Sequence, residues 1–294
     1  MQPLFDLRDL SILSLVSSLL LVLALILTGR VNTGNSSIGS WVGGAVQLAA
    51  GFMLIGLRNL LPDAFSIVLA NALIATGLCW TYFAARFTVG LPRGPRWDIP
   101  AGLLVAVSFI YFTFVAPNLA ARIVIITVLM GLSGFLIAHV ALMSLAARRD
   151  PDRGTLAAIG LAALCLGLVA SGRVVDTFIA RPGGDFLAQT GVSHRLIFLV
   201  VILFNFTLIF SLPVLFSQRT KRLLIASEAR FEATFEQAAV GIGTFGLDGR
   251  WLRANRCLCA MLGYSEAELL ALRFHDNTHP DDLATSEADR ARML

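Results

Sequence analysis

The sequence predicts a mainly α membrane protein: a seven-transmembrane helical bundle, then a helical linker, then a small α+β tail. The composition is the first reason. Of the 294 residues, 56% are hydrophobic and 14% charged, with a mean hydropathy of +0.77, whereas soluble domains are about a quarter charged. Apolar runs are the second, because they recur at about the 20-residue length that crosses the hydrocarbon core of a bilayer. The third is a compositional break near Arg219: residues 1–218 hold 21 charged residues, and residues 219–294 hold another 21.

The length criterion selects spans near 10–29, 38–57, 64–85, 98–116, 122–147, 155–178 and 196–217. Asn, Gly and Pro punctuate the gaps, as in Val31-Asn32-Thr33-Gly34-Asn35 and Leu91-Pro92-Arg93-Gly94-Pro95, where backbone turns in contact with water. The first run, Leu10 to Thr28, is too long for a signal-peptide core. Its leader carries Asp6, Arg8 and Asp9 instead of a basic cluster, so it is expected to stay attached as an anchor. These boundaries divide the chain into a transmembrane region, 1–217, a signalling helix, 218–239, and a soluble segment, 240–294.

With seven spans the ends lie on opposite sides, and basic residues choose the side. A cytoplasmic C-terminus puts Arg30, Arg86, Arg93, Arg96, Arg148, Arg149, Arg153, Arg219, Lys221 and Arg222 inside. Only Arg8, Arg58, Arg122, Arg173, Arg181 and Arg195 then face outward. The expectation is an inner-membrane protein with its N-terminus outside and its C-terminus cytoplasmic.

Several function classes drop out. A net charge of +4 with a single lysine, Lys221, gives no nucleic-acid footprint. The four cysteines, Cys79, Cys165, Cys257 and Cys259, make no secreted disulfide framework. A bis-histidine haem needs two imidazoles at one depth. His139 lies 17 residues beyond Arg122, roughly 25 Å along a helix at about 1.5 Å per residue, while His194 sits at the opposite boundary. A carrier would show intramembrane carboxylates or broken helices, and only Asp176, near a helix end, approaches that.

What remains for a site in the membrane is modest. Arg173 and Asp176 share a helix face at i,i+3 spacing near the outer end, out of reach of His139. Asn71 and Asn205 read as interhelical hydrogen-bonding groups, or else as part of a ligand pocket in the outer half of the bundle, roofed by residues 180–193. The sequence names no catalytic residue, no metal ligand and no cofactor, and leaves any ligand-binding residues unknown.

The tail begins at a basic anchor, Arg219-Thr220-Lys221-Arg222, expected to fix the helix at the inner surface. Leu224, Phe231, Phe235 and Ala238 then fit d, d, a and d positions of one heptad frame. That pattern serves a dimer seam or a helix packed on its own domain equally well. Val240–Phe245 and Trp251–Asn255 flank Asp248-Gly249 as a hairpin. A helix follows from Asn255 to Leu262, and Ser265-Glu266-Ala267-Glu268 reads as a capping box. His279-Pro280-Asp281-Asp282 opens a further helix.

On these residues the tail resembles the PAS domain family. The resemblance is carried by Phe231-Glu232-Ala233, Val240-Gly241-Ile242, Leu247-Asp248-Gly249, Asn255, Met261-Leu262-Gly263-Tyr264-Ser265 and Thr278-His279-Pro280-Asp281-Asp282, across 227–294. It implies the N-terminal part of an α+β PAS fold, which the family closes with three further strands. A tail ending at Leu294 is therefore expected to expose apolar surface and to be poorly stable alone. Cys257, Cys259, His275 and His279 do not match the flavin or haem positions of specialised PAS branches.

A second resemblance lies in the membrane region. Leu57-Arg58-Asn59-Leu60-Leu61-Pro62-Asp63-Ala64-Phe65-Ser66-Ile67-Val68-Leu69-Ala70-Asn71-Ala72-Leu73 is similar to a segment of the multi-span input regions of bacterial diguanylate cyclases and related PAS-containing signalling proteins. Arg181-Pro182-Gly183-Gly184-Asp185-Phe186 looks like the GGDEF signature of those cyclases, but it lacks the acidic residue before the phenylalanine and sits in a loop between spans. A Pro-Gly-Gly turn accounts for it.

Together these readings predict a sensory input module in the lipid bilayer. It would pass a signal through the last span to a PAS domain, as a homodimer, toward an output domain beyond Leu294. The alternatives are the N-terminal part of a diguanylate cyclase or sensor histidine kinase, or a transporter with a regulatory tail.

Overall fold

A computed structural model describes residues 7–32, 36–92, 97–146, 152–180, 192–246, 248–279 and 281–282. The chain divides into two compact units, Met1–Arg219 and Thr220–Leu294. The first contains α1 (Leu7–Val31), α2 (Ser36–Gly56), a π-helical turn (Ala64–Leu69) opening α3 (Ala70–Thr88), and α4 (Asp98–Ile110), which runs into a second π-helical turn (Tyr111–Val115). Then come α5 (Leu119–Ala146), α6 (Arg153–Ala180) and α7 (Val192–Glu236). Among the described residues these make seven helical stretches long and apolar enough to cross a membrane. Each falls on a predicted span. Their outward faces are apolar as well, as with Leu19, Leu23 and Leu27 on α1, the pattern of helices solvated by lipid.

Between apolar helices in lipid, association rests on close backbone approach and a few polar contacts. α5 and α6 show the first device. A Cβ on Gly134 would lie 2.7 Å from the Ala163 carbonyl oxygen and 2.8 Å from the Gly167 nitrogen, so only hydrogen fits there. Gly134→Ala is expected to push the two helices apart and lower the thermal midpoint in detergent. Gly39→Ala, where no atom lies within 4 Å, should leave that midpoint unchanged.

α1 and α7 show the second. Ser11, Ser14, Ser17 and Ser18 form a buried stripe on α1, each hydroxyl donating to a carbonyl three or four residues back. Their oxygens remain able to accept, and the Asn205 amide of α7 donates to Ser17 Oγ at 3.0 Å and Ser18 Oγ at 2.9 Å. Asn205 thus holds the interhelical role expected of it. Asn205→Leu should cost about 1 kcal/mol, the usual size of such bonds in lipid, read as a shift in the unfolding midpoint in mixed micelles.

The second unit is built on a hairpin. β1 (Gly243–Phe245) pairs antiparallel with β2 (Trp251–Ala254), Thr244 opposite Arg253, with an irregularity between Thr244 and Phe245. Gly249 closes the turn at φ 79°, a conformation that glycine adopts without strain, and the Arg250 amide donates to Asp248 Oδ1 at 3.1 Å. α8 (Arg256–Leu262) starts on Asn255 as N-cap and ends on Gly263 at φ 76°. α9 (Glu266–Ala271) starts on the predicted capping box.

In that box the backbone N–H and the hydroxyl of Ser265 both donate to Glu268 Oε2 at 2.8 Å, which holds the Glu268 carboxyl below the ordinary carboxylate range. A depressed folded-state pKa makes the box stabilising at neutral pH and weakens it as pH falls through the folded value. Protection of α9 amides, corrected for intrinsic exchange, should fall with acidification over that interval.

The core of this unit is small: Phe235, Ala254, Asn255 and Leu269 are buried, while Val240, Leu252 and Met261 are mostly exposed. Phe231 stacks on Phe235, and the Arg253 guanidinium lies over both rings, 4.6 Å from the Phe235 centroid, while pairing with Glu232. Phe235 therefore faces its own unit, and Leu224 and Phe231 are exposed. Among the described residues the sheet has two strands. Asp281 and Asp282 are helical, whereas Leu247, Pro280 and residues 283–294 lie outside the described residues.

Candidate functional site

The first unit contains a hollow of about 660 Å³, counting the open space at its mouth. It sits where α2, α4 and α6 end and α3, α5 and α7 begin, so one end of the bundle is hollow. Its polar lining is Arg58, Ser66, Asn71, Arg122 and Arg173, and among the described lining residues there is no Asp or Glu. The rest is apolar, with Phe52, Phe109, Met130 and Phe198 the bulkiest contributors.

Local sequence explains how the polar groups arrive there. After α2, Asn59 takes φ 71°, a left-handed conformation that asparagine tolerates better than most residues. The chain thereby turns within Leu57–Leu61, where Leu60 N and Leu61 N both donate to Leu57 O. Arg58 is left at the rim of the turn. Pro62 cannot donate, but its carbonyl accepts from Phe65 N at 2.9 Å and Ser66 N at 3.1 Å, and this starts the π-helical turn. The wider turn carries Ser66 and Ile67 into the wall, and Asn71 follows, its amide donating to Ile67 O at 2.7 Å. Single π-helical turns inside α-helices are frequent at functional sites.

Arg122, in the first turn of α5, is half-buried. It donates through one terminal nitrogen to Thr113 Oγ1 at 3.3 Å, reaching the second π-helical turn. Its Nε is buried and makes no hydrogen bond among the described residues. Arg173 is 3% exposed. It stands close enough to His194 to act on it electrostatically, as does Asp176, and Ser193 Oγ donates to Asp176 and lies 3.4 Å from His194 Nδ1. A polar cluster thus adjoins the cavity at the start of α7.

Of the groups singled out in the sequence, Asn71 lines the cavity and Asn205 does not. Arg173 and Asp176 do not meet His139, which lies on an exposed face of α5; they meet His194. Residues 181–191, including the Gly183-Gly184-Asp185-Phe186 stretch and most of the expected roof, lie outside the described residues. Cys257 and Cys259 lie on α8 as free thiols. The joint contribution of Arg58 and Arg122 was missed, since each reads alone as a boundary arginine. The signal available was their common side in the alternating topology.

The other end of the bundle holds a second polar junction. Arg219 Nε donates to Asp152 Oδ2 at 3.1 Å and another guanidinium nitrogen donates to the Thr88 carbonyl. Thr88 Oγ1 accepts from Trp41 Nε1 at 2.9 Å and donates to Ala84 O at 2.8 Å. Arg219 was expected to act as an anchor at the membrane surface. It is also bonded into the bundle.

Neither a family model nor a solved structure matches the chain. Over part of its length it is similar to two bacterial signalling proteins. It is 41% identical over 71 residues to the probable diguanylate cyclase DgcE of Escherichia coli K12, 24% of this chain and 6% of that protein. To the sensor histidine kinase TmoS of Ectopseudomonas mendocina it is 34% identical over 77 residues, 26% of this chain and 8% of that one. The aligned segments are thus small pieces of both relatives.

Proposed function

We propose that the chain is the sensory input module of a signalling protein. Residues 1–217 take up a signal in the membrane, 218–239 carry it, as a helix as far as Glu236, and 240–294 form the first part of a cytoplasmic PAS domain. The observation that carries this reading is α7: Ile197, Phe198 and Val201 wall the cavity, and the same helix extends through Arg219 to Glu236. Pro213 lies between those points. Lacking an N–H, it leaves the Ile209 carbonyl without its helical donor, a weak point at which a shift near the cavity can become a bend or rotation further along.

In this reading the orientation is that of the basic residues, with the cavity end outside and Leu294 in the cytoplasm of a bacterium. Two copies meet along exposed Leu224 and Phe231, and an output domain follows Leu294. Its effect would be cyclic di-GMP synthesis or histidine phosphorylation, the activities named in the two relatives, whose aligned lengths are close to that of Thr220–Leu294. The exposed apolar surface around Leu252 and Met261 fits a sheet that further strands complete.

The test is a cysteine crosslinking scan of 220–238 in membranes. Crosslinks between copies at positions 224 and 231 are expected, with yields that change with the stimulus. No crosslink at any position would remove the dimeric transmission step. Assaying the protein with whatever follows Leu294, for GTP turnover and for ATP-dependent autophosphorylation, separates the two outputs.

A further inference from the structure

We infer that α7 carries a swinging arm: below Pro213 the helix has a second packed position, in which Leu212 and Leu215 fill a void beside it, and the bonds of Arg219 hold it out of that position. The inference deepens the sensory reading by naming the part that moves, and rests on that reading only for the use made of the movement.

The void has a volume of about 20 Å³ and lies among Trp41, Ala85, Thr88, Val140, Leu212 and Leu215. By size it admits about one water, but a buried water needs two or more polar partners. The polar side-chain groups on the wall are already used: Trp41 Nε1 donates to Thr88 Oγ1, which donates to Ala84 O. The space is therefore dry, and empty apolar space in a packed interior is destabilising until side chains close on it.

Four of the surrounding helices are tied in pairs by close contact. A Cβ on Gly51 of α2 would lie 2.9 Å from the Ala70 carbonyl oxygen of α3, and one on Gly160 of α6 would lie 2.8 Å from the Ala141 Cβ of α5. Such packing leaves little room for either partner to shift on the other. α7 differs, having no glycine from Val192 to Glu236 and meeting the bundle through bulky buried side chains, Phe204, Leu208, Leu212, Leu215 and Phe216. It is also the wall with a hinge. Pro213, between the two leucines of the void, leaves the Ile209 carbonyl without its helical donor. One turn further on, Arg219 donates to Asp152 Oδ2 at 3.1 Å and to the Thr88 carbonyl, which braces the arm against the end of α3 and the start of α6. Glu236 lies 23 residues beyond Pro213, roughly 35 Å at about 1.5 Å per residue, so a small tilt at the hinge becomes a larger displacement at the far end.

The test measures distances between paired nitroxide labels on the full chain in nanodiscs, with the native cysteines replaced by alanine and the labelled chain diluted with unlabelled chain. One pair, on Gln218 and Ala146, joins the arm to the end of α5; the other, on Leu203 and Leu132, joins the same helices above the hinge. All four side chains are exposed. Arg219→Gln, or Asp152→Ala where the arginine variant is too unstable to label, should shorten the first distance by roughly 2–3 Å, the width of a water-sized space, and leave the second unchanged. Adding Ala85→Val, which puts two methyl groups into the void, should return the first distance to its wild-type value. An unchanged first distance overturns the inference, as does an equal change above the hinge or a shortening that persists with the void filled. None of these measurements needs a stimulus or an output. A swing in Arg219→Gln with the 220–238 crosslinks unchanged leaves the arm standing and removes its part in the sensory reading.

Discussion

Replacing Asn255 with alanine is expected to unfold residues 240–271. The side chain is fully buried and uses its whole hydrogen-bonding capacity. Its oxygen accepts from Leu258 N at 2.8 Å, as the cap of α8, and from Ile242 N at 2.9 Å. Its amide donates to the carbonyls of Phe235 and Val240, both at 2.9 Å. One residue thus joins the end of α7, the approach to β1 and the start of α8. Alanine leaves four backbone groups without this partner, each costing about 1 kcal/mol or more where water cannot enter. A loss of about 3–5 kcal/mol is a large share of the stability of any small domain.

Asn255→Asp tells the two roles apart. Aspartate is as good an N-cap as asparagine, so a residue that only capped α8 would be rescued. Here a carboxylate oxygen would face the Phe235 and Val240 carbonyls. The aspartate variant should therefore be as damaged as alanine, measured by hydrogen exchange across 240–271 with the bundle amides as internal reference. Rescue by aspartate would contradict the joining role.

Arg219→Gln is expected to loosen the end of the bundle opposite the cavity. The Asp152 carboxylate is 1% exposed, and its guanidinium partner 25%. Removing one member of a buried pair costs about 3–5 kcal/mol, because the other charge stays in a poor solvent. The lower end of that range applies here, since Arg219 keeps some contact with solvent. Arg219→Lys should recover only part, because an ammonium lacks the planar fork that meets Asp152 and the Thr88 carbonyl together. The double variant with Asp152→Asn should be more stable than Arg219→Gln alone, for then the buried carboxylate that the guanidinium met is gone as well. Thermal unfolding of the wild type, Arg219→Gln, Asp152→Asn and their double variant in one detergent gives the coupling energy. An additive result would mean that the pair contributes nothing to the bundle. In the sensory reading the same variants change the effect of the stimulus, because Arg219 ties α7 to neighbouring helices below Pro213.

The sequence alone determined the seven helices, because a bilayer imposes a length and a hydropathy on each span that can be counted residue by residue. It also determined the hairpin turn at Asp248-Gly249 and the cap at Ser265, since such local hydrogen bonds need only neighbours in the chain. Asn205 was legible as an interhelical group for a related reason, an amide in lipid having to find a partner. The tertiary structure alone decided that Arg58, Arg122 and Arg173 share one cavity, that His194 and not His139 adjoins Arg173, and that Arg219 meets Asp152. Those side chains lie tens of residues apart, and which faces of the helices meet depends on small residues such as Gly134 and on the buried serines of α1. Hydropathy fixes that a helix spans; the rotation of each helix about its axis, which sets what it shows its neighbours, is a property of packing.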